Sequence, residues 1–214
     1  MEKYYAVKKG HQPGIYATWA QTEKQVKGFK GAVFKKFDNL QQAQAFLQEK
    51  PVCHQHPDIW LYTDGGTRNT GTHAGGHVQA DDKAAWAYLI KTAQRSYQAS
   101  AGQYGATNNQ MELTAVLRGL QKLTSLHYNS QKILLVADSQ YVLNPLTQGW
   151  LTTWRQHGWK KADGRPVANR DLWQQLEQQL QLFSKLQFSW TKGHSSNKNN
   201  NFVDHLLNQT MDQM

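Results

Sequence analysis

Four acidic residues, Asp64, Glu112, Asp138 and Asp204, stand where carboxylates could act together. Each lies beside a predicted strand or near the start of a predicted helix. Singly, each has an ordinary explanation. An Asp ahead of two glycines opens a turn, and an acid near a helix start partners the helix dipole. Together they imply different chemistry. Two carboxylates ~4 Å apart repel by roughly 4 kcal/mol at an effective dielectric of 20. Four converging acids would stay ionised only around cations. Hard divalent ions meet that need, and Mg2+ is ordinarily held by a few carboxylates plus substrate phosphate.

The elements that would position these acids can be read in order. Ile59-Trp60-Leu61 predicts a short strand leading into Tyr62-Thr63-Asp64-Gly65-Gly66, with the Gly pair breaking it. Residues 67–83 read as a polar surface loop whose Asp81-Asp82 pair is solvated rather than metal-bound. Residues 84–90 and 96–100 predict two more strands, completing an antiparallel meander. Thr107 and Gln110 have capping-box spacing. Leu113, Val116, Leu117 and Leu120 then mark the buried stripe of a helix, with Glu112 in its first turn and off that stripe. Residues 132–139 read as a buried strand whose apolar run, Ile133 to Ala137, has no alternation, as in a strand covered on both faces, and Asp138 sits at its carboxyl end, where open α/β sheets place ligands. Residues 186–192 predict the last strand, and Val203, Leu206, Leu207 and Met211 the buried stripe of the last helix, which Asp204 borders.

Between those strands, Trp150, Trp154, Trp159 and Trp173 accompany Arg155, Lys160, Lys161, Arg165 and Arg170. A packed helical hairpin could have this composition, but the density of Trp and cations favours a nucleic-acid face. Charge points the same way: the 214 residues carry a formal +9, with a pI near 9.6, which favours a polyanionic partner. A single Cys excludes an internal disulfide framework. No apolar run approaches the ~20 residues of a membrane span, and the first residues lack the apolar core of a signal peptide. A cytosolic, monomeric protein is expected.

The first fifty residues form a module of their own. Strands are predicted at 4–7, 14–19 and 32–37, with helices from Thr22 and from Asp38 or Asn39. Nine Lys, no Arg and four acids give this stretch +5. Lys beside aromatics suits nucleic acid, since cations neutralise phosphates and aromatic faces pack on bases or sugars. Tyr5, Trp19 and Phe34 could equally be core. Residues 49–57, with two prolines and no period, read as a linker spanning roughly 30 Å. Cys53, His54 and His56 there lack a second cluster to complete a tetrahedral metal site.

The order Tyr-Ala-Val-Lys-Lys-Gly, Gly-Ile-Tyr-Ala-Thr-Trp and Gly-Phe-Lys-Gly-Ala-Val-Phe-Lys-Lys-Phe resembles the RNA–DNA hybrid-binding domain found at the N-terminus of many type I ribonucleases H. That resemblance implies that Trp19 and Phe34 pack on DNA-strand sugars, that Lys35 and Lys36 hold phosphates, and that Tyr5 supports the surface. Further along, Tyr-Thr-Asp-Gly-Gly, Thr-Asn-Asn-Gln-Met-Glu-Leu, Ala-Asp-Ser-Gln-Tyr-Val, and Lys-Gly-His with an Asp ten residues after the His resemble type I ribonuclease H itself. So does Gly-Trp-Lys-Lys-Ala-Asp-Gly-Arg-Pro-Val-Ala-Asn-Arg-Asp-Leu-Trp, similar to the family's basic handle.

The resemblance implies an α/β fold: a ribonuclease H-like five-stranded mixed sheet flanked by helices over 58–214, preceded by a small three-stranded α+β hybrid-binding domain over 1–48. It implies that Asp64, Glu112, Asp138 and Asp204 hold two Mg2+, with Mn2+ a substitute, and that His194 assists proton movement or product release. It also implies hydrolysis of the RNA strand of a hybrid, with 5′-phosphate and 3′-hydroxyl products. Asn108, Asn109 and Gln110 would read the minor groove, Trp150 and Trp154 would line the DNA strand, and Thr107 with Asn169 would hold a DNA phosphate. Three departures stand out: Gly105 where many relatives have Arg, one extra residue between Asp138 and Trp150, and a longer 67–83 loop. Two competing readings are a catalytically idle hybrid-binding protein, which the intact acids argue against, and an integrase-type polynucleotidyl transferase, which the N-terminal module argues against.

Overall fold

Thr18 decides where the second strand gives way to a helix. Its hydroxyl accepts from the Gln21 amide at 3.3 Å, and the Thr22 hydroxyl donates to its carbonyl at 2.9 Å. Strand β2 (Gly14–Tyr16) therefore stops short and helix α1 (Trp19–Val26) begins. The expected strand to residue 19 is corrected: Trp19 is the first helical residue, because an N-cap satisfies backbone donors that a strand end would leave open. Strands β1 (Tyr4–Lys9) and β3 (Val33–Phe37) complete an antiparallel sheet in the order β2-β1-β3. Helix α2 (Leu40–Gln48) follows Asn39, whose side chain accepts from the Gln41 amide at 2.7 Å. Ala6, Val7, Thr22 and Ala43 are buried in this unit.

The computed structural model describes residues 3–29, 31–48, 56–68, 78–193 and 197–214. Its contacts divide into two units, Met1–Gln55 and His56–Met214. Cys53, His54 and residues 49–55 of the expected linker lie outside the described residues.

In the larger unit β4 (Ile59–Arg68), β5 (Lys83–Lys91) and β6 (Ser96–Tyr104) form the antiparallel meander. Strand β7 (Ile133–Ala137) pairs parallel with β4, and β8 (Leu186–Trp190) parallel with β7. The order β6-β5-β4-β7-β8 makes β4 the middle strand. Helices α3 (Asn108–Ser125), α4 (Gln140–Thr147), α5 (Trp150–Gln156), α6 (Arg170–Leu180) and α7 (Lys198–Asp212) accompany the sheet. One large core joins Leu61, Ile90, Leu120, Leu135 and Trp173; the other joins Tyr62, Leu89, Val136, Val203, Leu207 and Met211; a small cluster joins Ala84, Ala106 and Met111. This is the five-stranded mixed sheet flanked by helices that the sequence predicts.

The glycine pair does not break β4. The ladder runs on through Asp64↔Ala87, Gly65↔Trp86 and Gly66↔Ala85 to Arg68↔Lys83. A Cβ on Gly65 would lie 2.2 Å from the Glu112 amide nitrogen, and one on Gly66 would lie 3.1 Å from Leu207 Cδ1. The glycines let α3 and α7 close onto the middle strand, one from each core.

The acidic pair at the foot of β5 also differs from expectation. Asp81 is exposed, but Asp82 is 1% exposed. The Asp82 carboxylate accepts from the Gln79 amide at 2.8 Å, and its carbonyl accepts from the Gly105 amide at 2.9 Å. It ties the entrance of β5 to the exit of β6.

Candidate active site

Asp64 lies within β4, level with the start of α3. The α3 capping box is formed in both directions: Thr107 Oγ1 accepts from the Gln110 amide at 3.2 Å, and Gln110 Oε1 accepts from the Thr107 amide at 2.8 Å. With the helix starting at Asn108, Glu112 falls in the second turn rather than the first, and it is buried, facing the sheet through the gap at Gly65. Asp138 follows β7, and its carbonyl accepts from Trp190 Nε1 at 3.0 Å. Among the described residues, Asp64, Glu112 and Asp138 each bring an oxygen within 4.8 Å of the others. Asp204, on the first half of α7, lies outside that cluster, yet its charge still reaches Asp64.

Burial pushes the Asp64 carboxyl up to about 8, with further upward pressure from Asp138 and then Asp204; the Gly65 amide, donating to Oδ1 at 2.8 Å, opposes it. Glu112 is held well above the carboxylate range by burial first, then by the charges of Asp64 and Asp138, against hydrogen bonds from Asn108 and the Gly65 amide. Among the described residues no ion pair neutralises Asp64, Glu112 or Asp138. Hard oxygen donors, packed together and lacking a protein cation, suit divalent metal ions.

The family described as RNase H matches residues 56–212, and the family described as Ribonuclease H1 N-terminal domain matches residues 3–47. The chain belongs to the ribonuclease H family. A Ribonuclease H from Hydrogenovibrio crunogenus is 38% identical over 157 residues, covering 73% of this chain and 97% of the relative. One from Methylococcus capsulatus is 34% identical over 163 residues, covering 76% and 95%. Among solved structures, LC9-RNase H1, a type 1 RNase H with the type 2 active-site motif, shares the fold with a TM-score of 0.61 at 21% identity, covering 73% of each chain. A foamy viral protease-reverse transcriptase in complex with RNA/DNA hybrid does so with 0.61 at 18%, covering 74% of this chain and 20% of that one.

Around the carboxylates of this ribonuclease H, Asn108 and Asn109 are exposed at the amino end of α3, while the Gln110 side chain is engaged in the capping box. Asn169 has φ 57° and donates from Nδ2 to the Tyr141 hydroxyl at 3.0 Å. Gly105 has φ 69°, so an Arg there would strain the backbone. His194 lies outside the described residues.

The Trp-rich stretch divides into core and surface. Trp173 is fully buried and Trp159 is 9% exposed, so these two belong to the hydrophobic core rather than to a nucleic-acid face. Trp154 is half-buried, its ring 5.4 Å from Trp173 in an edge-on arrangement; Trp150 is exposed, 6.1 Å from Trp154. Arg155 pairs with Glu177, Arg165 with Asp163 and Arg170 with Asp171. Lys160 and Lys161 have no ion-pair partner among the described residues, and with Trp150, Trp154 and His157 they line a cavity of about 590 Å³.

In the smaller unit Tyr5, Trp19 and Phe34 make one aromatic row, with ring centroids 5.9 Å and 5.7 Å apart; Trp19 is 45% and Phe34 41% exposed. Strand alternation places Lys36 on the side of Phe34. Lys35 points to the other side, its ammonium 5.6 Å from the Phe37 ring. Reading the sequence missed two residues near Asp204, Arg68 and Asn208, because neither belongs to a motif.

Proposed function

We propose that the chain is an endonuclease that hydrolyses the RNA strand of RNA–DNA hybrids, leaving 5′-phosphate and 3′-hydroxyl ends. The clustering of Asp64, Glu112 and Asp138 oxygens within 4.8 Å carries this reading. Two Mg2+ ions held by these residues and Asp204, or Mn2+ in their place, would supply an activated water and stabilise charge on the leaving 3′ oxygen during in-line displacement. The protein's share is placement. Asp64 is fixed by a middle strand, Glu112 by the Asn108 side chain and the Gly65 amide, and Asp138 by the end of β7. Exposed Asn108 and Asn109, beside Gln110, would meet the minor groove, where the RNA strand shows its 2′-hydroxyls. Thr107 and Asn169 would hold a DNA phosphate, Trp150 and Trp154 would line the DNA strand, and His194 would move protons or aid product release. The enzyme would act as a cytosolic monomer, with residues 1–48 as a hybrid-binding domain, 49–57 as a tether and 58–214 as the catalytic domain.

End-labelled hybrid, duplex RNA and duplex DNA of one sequence, incubated with Mg2+, test the reading. Internal cuts are expected in the RNA of the hybrid alone. Cleavage of duplex DNA, or an uncut hybrid, would overturn it. For the N-terminal module, deletion of residues 1–50 is expected to raise the apparent KM on long hybrids and to flatten the salt dependence. About 0.9 log unit of slope goes with each lost phosphate contact, so an unchanged slope would remove the module from binding.

A further inference from the structure

Strand β4 carries a second charged side chain beyond Asp64. Arg68 ends the strand, and its guanidinium reaches α7 at three points. It donates to Asp212 Oδ1 at 2.5 Å, to the Asn208 carbonyl at 3.2 Å and to Asn208 Oδ1 at 3.4 Å. Asn208 in turn donates from Nδ2 to Asp204 Oδ1 at 3.1 Å and to the Asp204 carbonyl at 2.8 Å. An arginine can only donate. It therefore fixes which end of the Asn208 amide faces it, and so which end faces Asp204: the NH2 group is presented to the carboxylate. Asp204 stands on a helix one turn before Asn208, so the bond also limits its rotamers.

We infer that Arg68 and Asn208 are positioning residues for Asp204, coupling the carboxylate on α7 to the strand that carries Asp64. The inference rests on the proposed hybrid-cleaving, metal-dependent reaction. The Arg68–Asp212 ion pair is exposed, 43% and 62% at the side chains, and such pairs add little to stability. A role in stability alone would thus leave little to observe, whereas orientation of a metal-binding carboxylate has a clear signature. Partners that orient metal ligands typically matter about 10–100-fold in affinity or activity.

The test uses the full chain with Asn208→Leu, Arg68→Gln and the double variant. Mn2+ binding is measured by calorimetry, kcat and KM on a labelled hybrid, and thermal melting in EDTA. Asn208→Leu is expected to weaken Mn2+ binding and lower kcat by about tenfold, with KM for the hybrid unchanged. Arg68→Gln should act in the same direction and less strongly, with the melting temperature unchanged. The double variant should be no worse than Asn208→Leu alone, because Arg68 acts through Asn208. Wild-type cleavage together with wild-type kcat and Mn2+ affinity in Asn208→Leu would overturn the inference alone, as would additive losses in the double variant. A wild-type chain that cuts no hybrid would overturn the proposed reaction and this inference with it.

Discussion

Asp64→Asn is expected to abolish cleavage and, in metal-free buffer, to raise the melting temperature. Metal ions contribute several kcal/mol of charge stabilisation in a reaction of this type, so losing one of the three clustered carboxylates that would hold them should cost about 10³-fold or more at ~1.36 kcal/mol per tenfold. The gain in stability follows from the carboxyl's surroundings. Its folded-state value of about 8 stands above the ordinary 3.8. Between those values the unfolded chain holds fewer protons than the folded one, so stability falls as pH rises. The contribution is fully present below about pH 4 and is lost as pH passes 8. An uncharged Asn avoids the loss and can still accept from the Gly65 amide. Melting curves from pH 4 to 8.5 in EDTA should slope downward for the wild type and less steeply for the variant. A variant that melts lower than wild type at pH 8 would overturn the raised carboxyl value, and one that cuts hybrid at the wild-type rate would remove Asp64 from the site.

Gly65→Ala is expected to be among the most damaging single-methyl changes in the chain. The added carbon would lie 2.2 Å from the Glu112 nitrogen and the Met111 carbonyl carbon, and 2.6 Å from the Met111 oxygen. These are backbone atoms of a packed helix and cannot swing aside. A cost of about 3 kcal/mol, the upper end for overpacking, is expected in urea unfolding. Moving α3 also moves Glu112, and metal and catalytic groups tolerate only ~0.5 Å of displacement, so cleavage should fall with stability. Gly66→Ala is the control: its carbon would meet only side-chain ends, Leu207 Cδ1 at 3.1 Å and Met211 Cε at 4.0 Å, which can rotate, so about 1 kcal/mol is expected. Equal costs at the two positions would show that backbone crowding by α3 is not what the glycine relieves.

That contrast also shows where the sequence was readable. Thr107 with Gln110 marked the α3 start because a capping box is local chemistry, and the unbroken apolar run of β7 marked a strand with neighbours on both sides. The four acids could be singled out because each stands next to such an element. Gly65 and Gly66 misled because a glycine pair has the same appearance whether it turns a chain or admits a helix, and only the position of α3, more than forty residues later, separates the two. Trp159 and Trp173 misled because Trp serves core and nucleic-acid surfaces alike, and their Arg neighbours are matched by Glu177, Asp163 and Asp171 from the fold itself. Asp82 reads as a solvated acid because no pattern in the sequence marks the Gln79 amide that donates to its carboxylate. Arg68 and Asn208 are 140 residues apart, beyond the reach of any pattern in spacing.

A ribosome delivers β4, β5, β6 and α3 well before α7. The meander and its helix can form from pairings close in sequence, bringing Asp64 and Glu112 together early. Strand β7 joins β4 only by a parallel crossover, and parallel, non-local pairings form slowly. Until α7 emerges, Tyr62, Leu89 and Val136 lack the cover of Val203, Leu207 and Met211, and Asp204 has not been made. With Asp204 as the fourth ligand proposed above, the nascent chain would be sticky and inert at once: nuclease activity would await the docking of the last helix, the same event that hides the apolar face from aggregation.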